Sequence, residues 1–186
     1  MTMTSEPLLT LEPLIEAVRD GVSRAGWDLS GLQKTTSHQF EGRWDGQSSR
    51  SAYLFFHSES FPEFVSVDVF LDETTKGLRG NLTLVVEGPE LSALGPMKEF
   101  LSSLATVSAD CMPEGYRTSV TVRLRMDGSE EDPAAAESEV RLKLYISAKA
   151  MKAGADAVSA LASSAVVAFE RALAHGDFEL LQENGD

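Results

Sequence analysis

Cysteine occurs once in this 186-residue chain, at Cys111, which excludes an internal disulfide and any cysteine-rich zinc site. Histidine occurs three times, at His38, His57 and His175, and no His-x-x-x-His or Glu-x-x-His spacing offers a metal pair. There is no Gly-x-Ser-x-Gly elbow and no glycine-rich phosphate loop. Basic residues are the scarce charge, 16 Lys and Arg against 29 Asp and Glu, for a formal charge of −13. That balance disfavours nucleic acid, whose phosphates need Lys and Arg, and an anionic membrane surface for the same reason. It suits a self-repelling protein steered toward basic partners. No apolar stretch approaches the roughly 20 residues of a membrane span. Met1 to Leu9 lacks the basic start and apolar run of a secretory leader. The expectations are therefore a cytoplasmic location, no cofactor, and no nucleic-acid or membrane partner.

What is present is enough apolar residue, 42%, for a packed domain over 1–186. Residues 1–9 and 179–186 read as flexible tails, and 127–137 as a solvated acidic loop. A first helix is expected from Thr10 to Ala25, where Leu11, Leu14, Ile15, Val18 and Val22 form one apolar stripe. Thr10 is the expected N-cap and Gly26 the stop. Asp28 to Ser37 reads as a polar connector.

Four strands follow at His38–Trp44, Ser51–His57, Phe64–Leu71 and Asn81–Glu87, separated by turns at Asp45-Gly46, Ser60-Phe61-Pro62 and Thr74 to Gly80. Val65, Val67, Val69 and Leu71 face inward in the third strand, and Leu82, Leu84 and Val86 in the fourth. The second is apolar on both sides: Ala52, Leu54 and Phe56 on one, Tyr53 and Phe55 on the other. A strand of that kind is covered twice, by a helix of its own chain or by a partner, and the chain's own helix is the default. A second helix is expected at Pro96 to Val107.

Between Tyr116 and Ile146 two strands alternate with period two. Val120, Val122, Leu124 and Met126 match Val140, Leu142, Leu144 and Ile146 on the apolar side, and Arg123, Arg125, Arg141 and Lys143 take the other. Four of sixteen basic residues thus share one hairpin face. Its plain explanation is edge protection and ion pairing, Glu139 lying on the same side. A last helix is expected from Ala148 to Ala174, ended by Gly176. The fold class is α+β: an antiparallel sheet of about six strands with helices packed on it, in the order α-ββββ-α-ββ-α.

Reactive groups have plain explanations too. His57 beside Ser58 and Glu59 reads as a solvated strand end rather than a base or metal ligand. Cys111 follows a helix C-terminus, where a thiolate is disfavoured, and reads as structural. Asp68, Asp72 and Glu73 are expected exposed, whereas acid–base work would require burial. No catalytic residue and no metal ligand is assigned.

In its order of elements, size and acidity the chain resembles the type III secretion chaperone-like fold. The first helix ending at Ala25-Gly26-Trp27 and the Ser51–His57 and Phe64–Leu71 hairpin carry the likeness. It is topological, without a diagnostic motif. The strand near Asn81–Glu87, the 127–137 insertion and the longer last helix are additions to the family pattern. The resemblance implies a small dimer whose apolar patches hold an extended segment of a client.

The leading expectation is a non-enzymatic protein-binding module, a small acidic chaperone or adaptor forming a homodimer. Tyr53, Phe55 and Phe70 would be one contact surface and Arg123, Arg125, Arg141 and Lys143 a second. Two alternatives stand beside it. One is an apolar-ligand binder with a pocket lined by Phe56, Leu84, Leu144 and Phe169; the other is an acidic inhibitor or immunity-type protein for a cationic partner.

Overall fold

The computed structural model describes residues 9–37, 49–74, 76–87, 106, 118–125 and 137–175. Helix α1 spans Leu11–Arg24 and buries Leu14, Ile15, Val18 and Val22 along its predicted stripe. Thr10 has the extended backbone of an N-cap, but its hydroxyl makes no capping bond. The first-turn amide of Leu11 donates instead to Oε2 of Glu73, 2.6 Å away on a distant strand. A carboxylate there also meets the positive end of the helix dipole. Gly26, at φ +90°, reverses the chain after α1.

Asp28–Ser37 is strand β1, not a connector. It pairs antiparallel along its length with β2, Ser49–His57, with a bulge between Leu29 and Gly31. Its polar composition reflects an edge position, where little of either face must be apolar. The strand expected at His38–Trp44 lies outside the described residues. Strands β3, Val65–Thr74, and β4, Gly77–Glu87, join through a tighter turn than Thr74 to Gly80, because Thr74 already pairs with Gly77 at φ +116°. Thr74 Oγ1 accepts the Lys76 amide at 3.2 Å and closes that turn. Strands β5, Thr118–Arg125, and β6, Glu137–Tyr145, pair in a register compatible with that alternation, Val120 opposite Leu142 and Val122 opposite Val140.

The fold is α+β. The described strands form one antiparallel sheet in the order β1-β2-β3-β4-β6-β5. The expected last helix is broken at Gly154, φ +103°, into α2, Ala148–Ala153, and α3, Ala155–His175. Ser147 caps α2, its hydroxyl accepting the Ala150 amide at 3.1 Å. The Pro96–Val107 helix, Cys111, Met126, the acidic loop and the tails lie outside the described residues, apart from Leu9, Thr106 and Glu137.

Alternate residues of the strands join α1 and α3 in one core: Leu54, Phe56, Val67, Leu84 and Leu142 from the sheet, Val158, Leu161, Ala165 and Phe169 from α3. Gly21 is where the two helices touch. A Cβ there would stand 2.2 Å from the Ser159 carbonyl oxygen, so only glycine permits the approach. Beside it, buried Ser159 donates to Asp20 and accepts from Arg24, each at 2.7 Å. Buried Trp27 stacks on Phe61, ring centroids 5.3 Å apart, and donates its indole N–H to Glu170 at 2.8 Å. Ala155–Ala174 is, by length and composition, apolar enough to cross a membrane, which the sequence reading missed; in the structure 56% of its most apolar 18-residue window is buried, with Phe169 and Leu161 in the core.

Candidate functional site

Period two sends the other half of each strand to the opposite face of the sheet, against which no described helix packs. Tyr53 and Phe55 stand there, 39% and 37% exposed. Cover by the chain's own helix was the expectation; the described helices lie on the Leu54 side instead, which leaves these rings half in solvent. Phe70 sits across from Tyr53, ring centroids 4.9 Å apart. Phe55 rests over β1, where a Cβ on Gly31 would come within 3.3 Å of its ring. The glycine leaves room for the aromatic ring beside β1.

Asp68, Thr83 and Lys143 continue Phe55's row across β3, β4 and β6, while Asn81 continues that of Tyr53 and Phe70. Together with Arg141 these residues line a shallow concavity of about 410 Å³, within the size range of ligand sites. The two surfaces expected separately, the aromatic and the basic, therefore meet in one place. Tyr53, Phe55, Phe70, Arg141 and Lys143 line it. Arg123 and Arg125 occupy the same face of β5 by register, Arg123 opposite Glu139, and their side chains are outside the description. Part of the basic face is internally paired, since Arg141 meets Glu139 at 2.5 Å and Asp68 at 3.7 Å. Lys143 is paired with no carboxylate among the described residues; its ammonium lies 5.9 Å from the Tyr145 ring centre.

The carboxylates expected to be exposed are not. Asp72 is buried and accepts from Arg79 at 2.7 Å and Ser51 at 3.1 Å. Asp68 is half-buried, and burial pushes its carboxyl up, against the lowering effects of the Ser66 hydrogen bond and of Arg141. Asp68, Asn81 and Thr83 are the outward-facing lining residues that the sequence reading did not assign to a site; Val69, which also lines it, belongs to the core side. Alternation does place them facing outward; only strand register reveals that they share a row with the aromatics. Val85 and Thr83, on the same face, are buried, so the exposed aromatic surface lies toward β2 while the concavity runs on to Arg141 and Lys143 of β6.

A second concavity, about 740 Å³, lies at the bulged end of β1 and includes Asp28, Ser30, His57, Glu59 and Glu63. Ser30 Oγ is 2.9 Å from His57 Nδ1 and donates to the Phe55 carbonyl at 3.0 Å. A hydroxyl has one proton. With that proton on the Phe55 carbonyl, the imidazole must donate to Ser30, the reverse of a base activating a nucleophile. The contact is a brace across the bulge. Among the described residues no three His, Cys, Asp or Glu side chains converge on a metal position. Phe56, Leu84, Leu144 and Phe169, the expected pocket wall, are all buried within the single core cluster.

No protein-family model, no curated protein and no solved structure matches this chain.

Proposed function

We propose that this chain is a non-enzymatic protein-binding module, a small acidic cytosolic chaperone or adaptor that works as a dimer and holds an extended client segment on the open face of its sheet. The proposal includes the complete order α-ββββ-α-ββ-α, with a helix near Pro96–Val107, as in the type III secretion chaperone-like fold that the sequence resembles. One observation carries it. Three aromatics, Tyr53, Phe55 and Phe70, cluster beside Arg141 and Lys143 on a face that no described helix covers. Contiguous apolar surface rimmed by polar groups is uncommon on a soluble protein without a partner, and extended segments are recurring objects of recognition by β-sheet proteins.

The test compares the native chain with a Tyr53→Ser/Phe55→Ser double variant. Both rings are more than a third exposed, so the melting temperature should fall by no more than a few degrees. Quantitative mass spectrometry of proteins retained from native lysate should show clients held by the native chain and lost from the folded variant. Identical retention profiles for the two would defeat the proposal.

A further inference from the structure

The concavity has chemically different ends joined by a polar floor. Phe55 pairs with Asp68, Asp68 with Thr83, and Thr83 with Lys143, so the four lie in one row across β2, β3, β4 and β6. At the β2 end stand the half-exposed rings of Tyr53 and Phe55. At the β6 end Arg141 is committed to Glu139 and Asp68, while Lys143 has no carboxylate partner among the described residues. With no anion beside it among the described residues, this ammonium is a local exception to the chain's charge of −13 and suits an acidic group. Three strand spacings of about 4.8 Å put roughly 14 Å between the Phe55 and Lys143 backbones. An extended peptide crossing the strands advances about 3.4 Å per residue, so about four residues bridge that span, and residues i and i+4 face the same way.

Resting on the reading that this face holds an extended segment, we infer that the segment carries an aromatic side chain seated on Tyr53 and Phe55 and a carboxylate four residues away that pairs with Lys143. The residue midway between them lies over Asp68, which already accepts from Ser66 and meets Arg141. A neutral side chain is tolerated there, and a second carboxylate is repelled by Asp68.

The probe is a fluorescein-labelled, end-capped peptide, Ser-Phe-Thr-Ser-Thr-Glu-Ser, titrated with the full chain and followed by anisotropy. Exchanging its Glu for Lys should weaken binding about tenfold, the scale of one partly exposed charge contact turned repulsive. Moving the Glu to two residues from the Phe should weaken it comparably. The Lys143→Glu protein should reverse the preference and favour the Lys peptide. Equal binding of the Glu and Lys peptides, an unaltered preference in Lys143→Glu, or no binding of the parent peptide overturns the inference. So does a concentration-dependent dimer that Tyr53→Ser dissociates, because a second copy then occupies the face. If clients are still lost from the Tyr53→Ser/Phe55→Ser variant while Lys143→Glu changes nothing, this inference fails and the protein-binding reading survives.

Discussion

Replacing Gly21 by alanine should destabilise the protein although alanine is the better helix former. In the middle of an exposed helix the exchange would stabilise by about 1 kcal/mol. Here the new methyl would lie 2.2 Å from the Ser159 carbonyl oxygen and 2.9 Å from the Ala162 Cβ. Carbon–oxygen contacts settle near 3.3 Å or beyond, roughly 1 Å more than the site allows. The first obstacle is backbone, so no rotamer change relieves it, and α1 and α3 must separate along the seam that buries Val18, Val22 and Ala165. Overpacking of this kind costs up to about 3 kcal/mol. After the propensity gain a net loss of about 2 kcal/mol remains, a melting temperature lower by roughly 4–8 °C for a chain of this size. Urea denaturation should show a lower midpoint at unchanged slope. Ser23→Ala, exposed on the same helix, is the control and should be neutral or slightly stabilising. If Gly21→Ala melts at or above the native temperature, the close helix crossing is wrong.

Two carboxylates should reveal themselves by opposite responses to pH. Asp68 has its carboxyl raised above the ordinary 3.8, chiefly by burial. The folded state is therefore penalised wherever Asp68 is ionised, and the penalty fades as pH falls through the raised value. Asp68→Asn should accordingly be more stable than the native chain at neutral pH and lose that advantage in acid, read as urea midpoints at pH 7 and pH 3; an advantage independent of pH would refute it. At Glu73 burial raises the carboxyl, but the Arg50 hydrogen bond and the Leu11 amide together outweigh it and hold the group below the ordinary 4.5. Its contribution is present above that value and disappears as pH falls through the lowered one. Glu73→Gln should be less stable at neutral pH and converge with the native chain in acid, read as urea midpoints by ellipticity at 222 nm; a constant difference across pH would show that the charge is not what matters.

Wherever period or spacing was strong, the sequence was readable. The stripe of α1, the inward valines and leucines of β3 and β4, and the alternation of the last two strands all follow from repeats of 3.6 or 2. Edge strands resist such reading. Asp28–Ser37 carries only Leu29 and Leu32 as large apolar residues, because among the described strands β1 pairs on one side alone and meets little of the core, so its composition imitates a loop. The break at Gly154 is invisible to periodicity because Met151 and Val158 stay near enough to one stripe across it. For the site, alternation identified Tyr53, Phe55, Arg141 and Lys143 as outward-facing. It could not tell that they share a face of one concavity, since that depends on β4 lying beside β6, a neighbour relation between segments more than fifty residues apart. Asp68 was legible as a residue but not as a half-buried one.

In β2, Leu54 and Phe56 anchor the molecule, while Tyr53 and Phe55, their immediate neighbours, face outward. Structural duty and display duty are thus interleaved at single-residue resolution along one ribbon. Exchanges at Tyr53 and Phe55 leave the core cluster untouched, so that surface can drift or be re-engineered while the scaffold keeps its shape. The same interleaving sets a hazard: a one-place slip in register would swap the two sets, exposing leucines and entombing tyrosine.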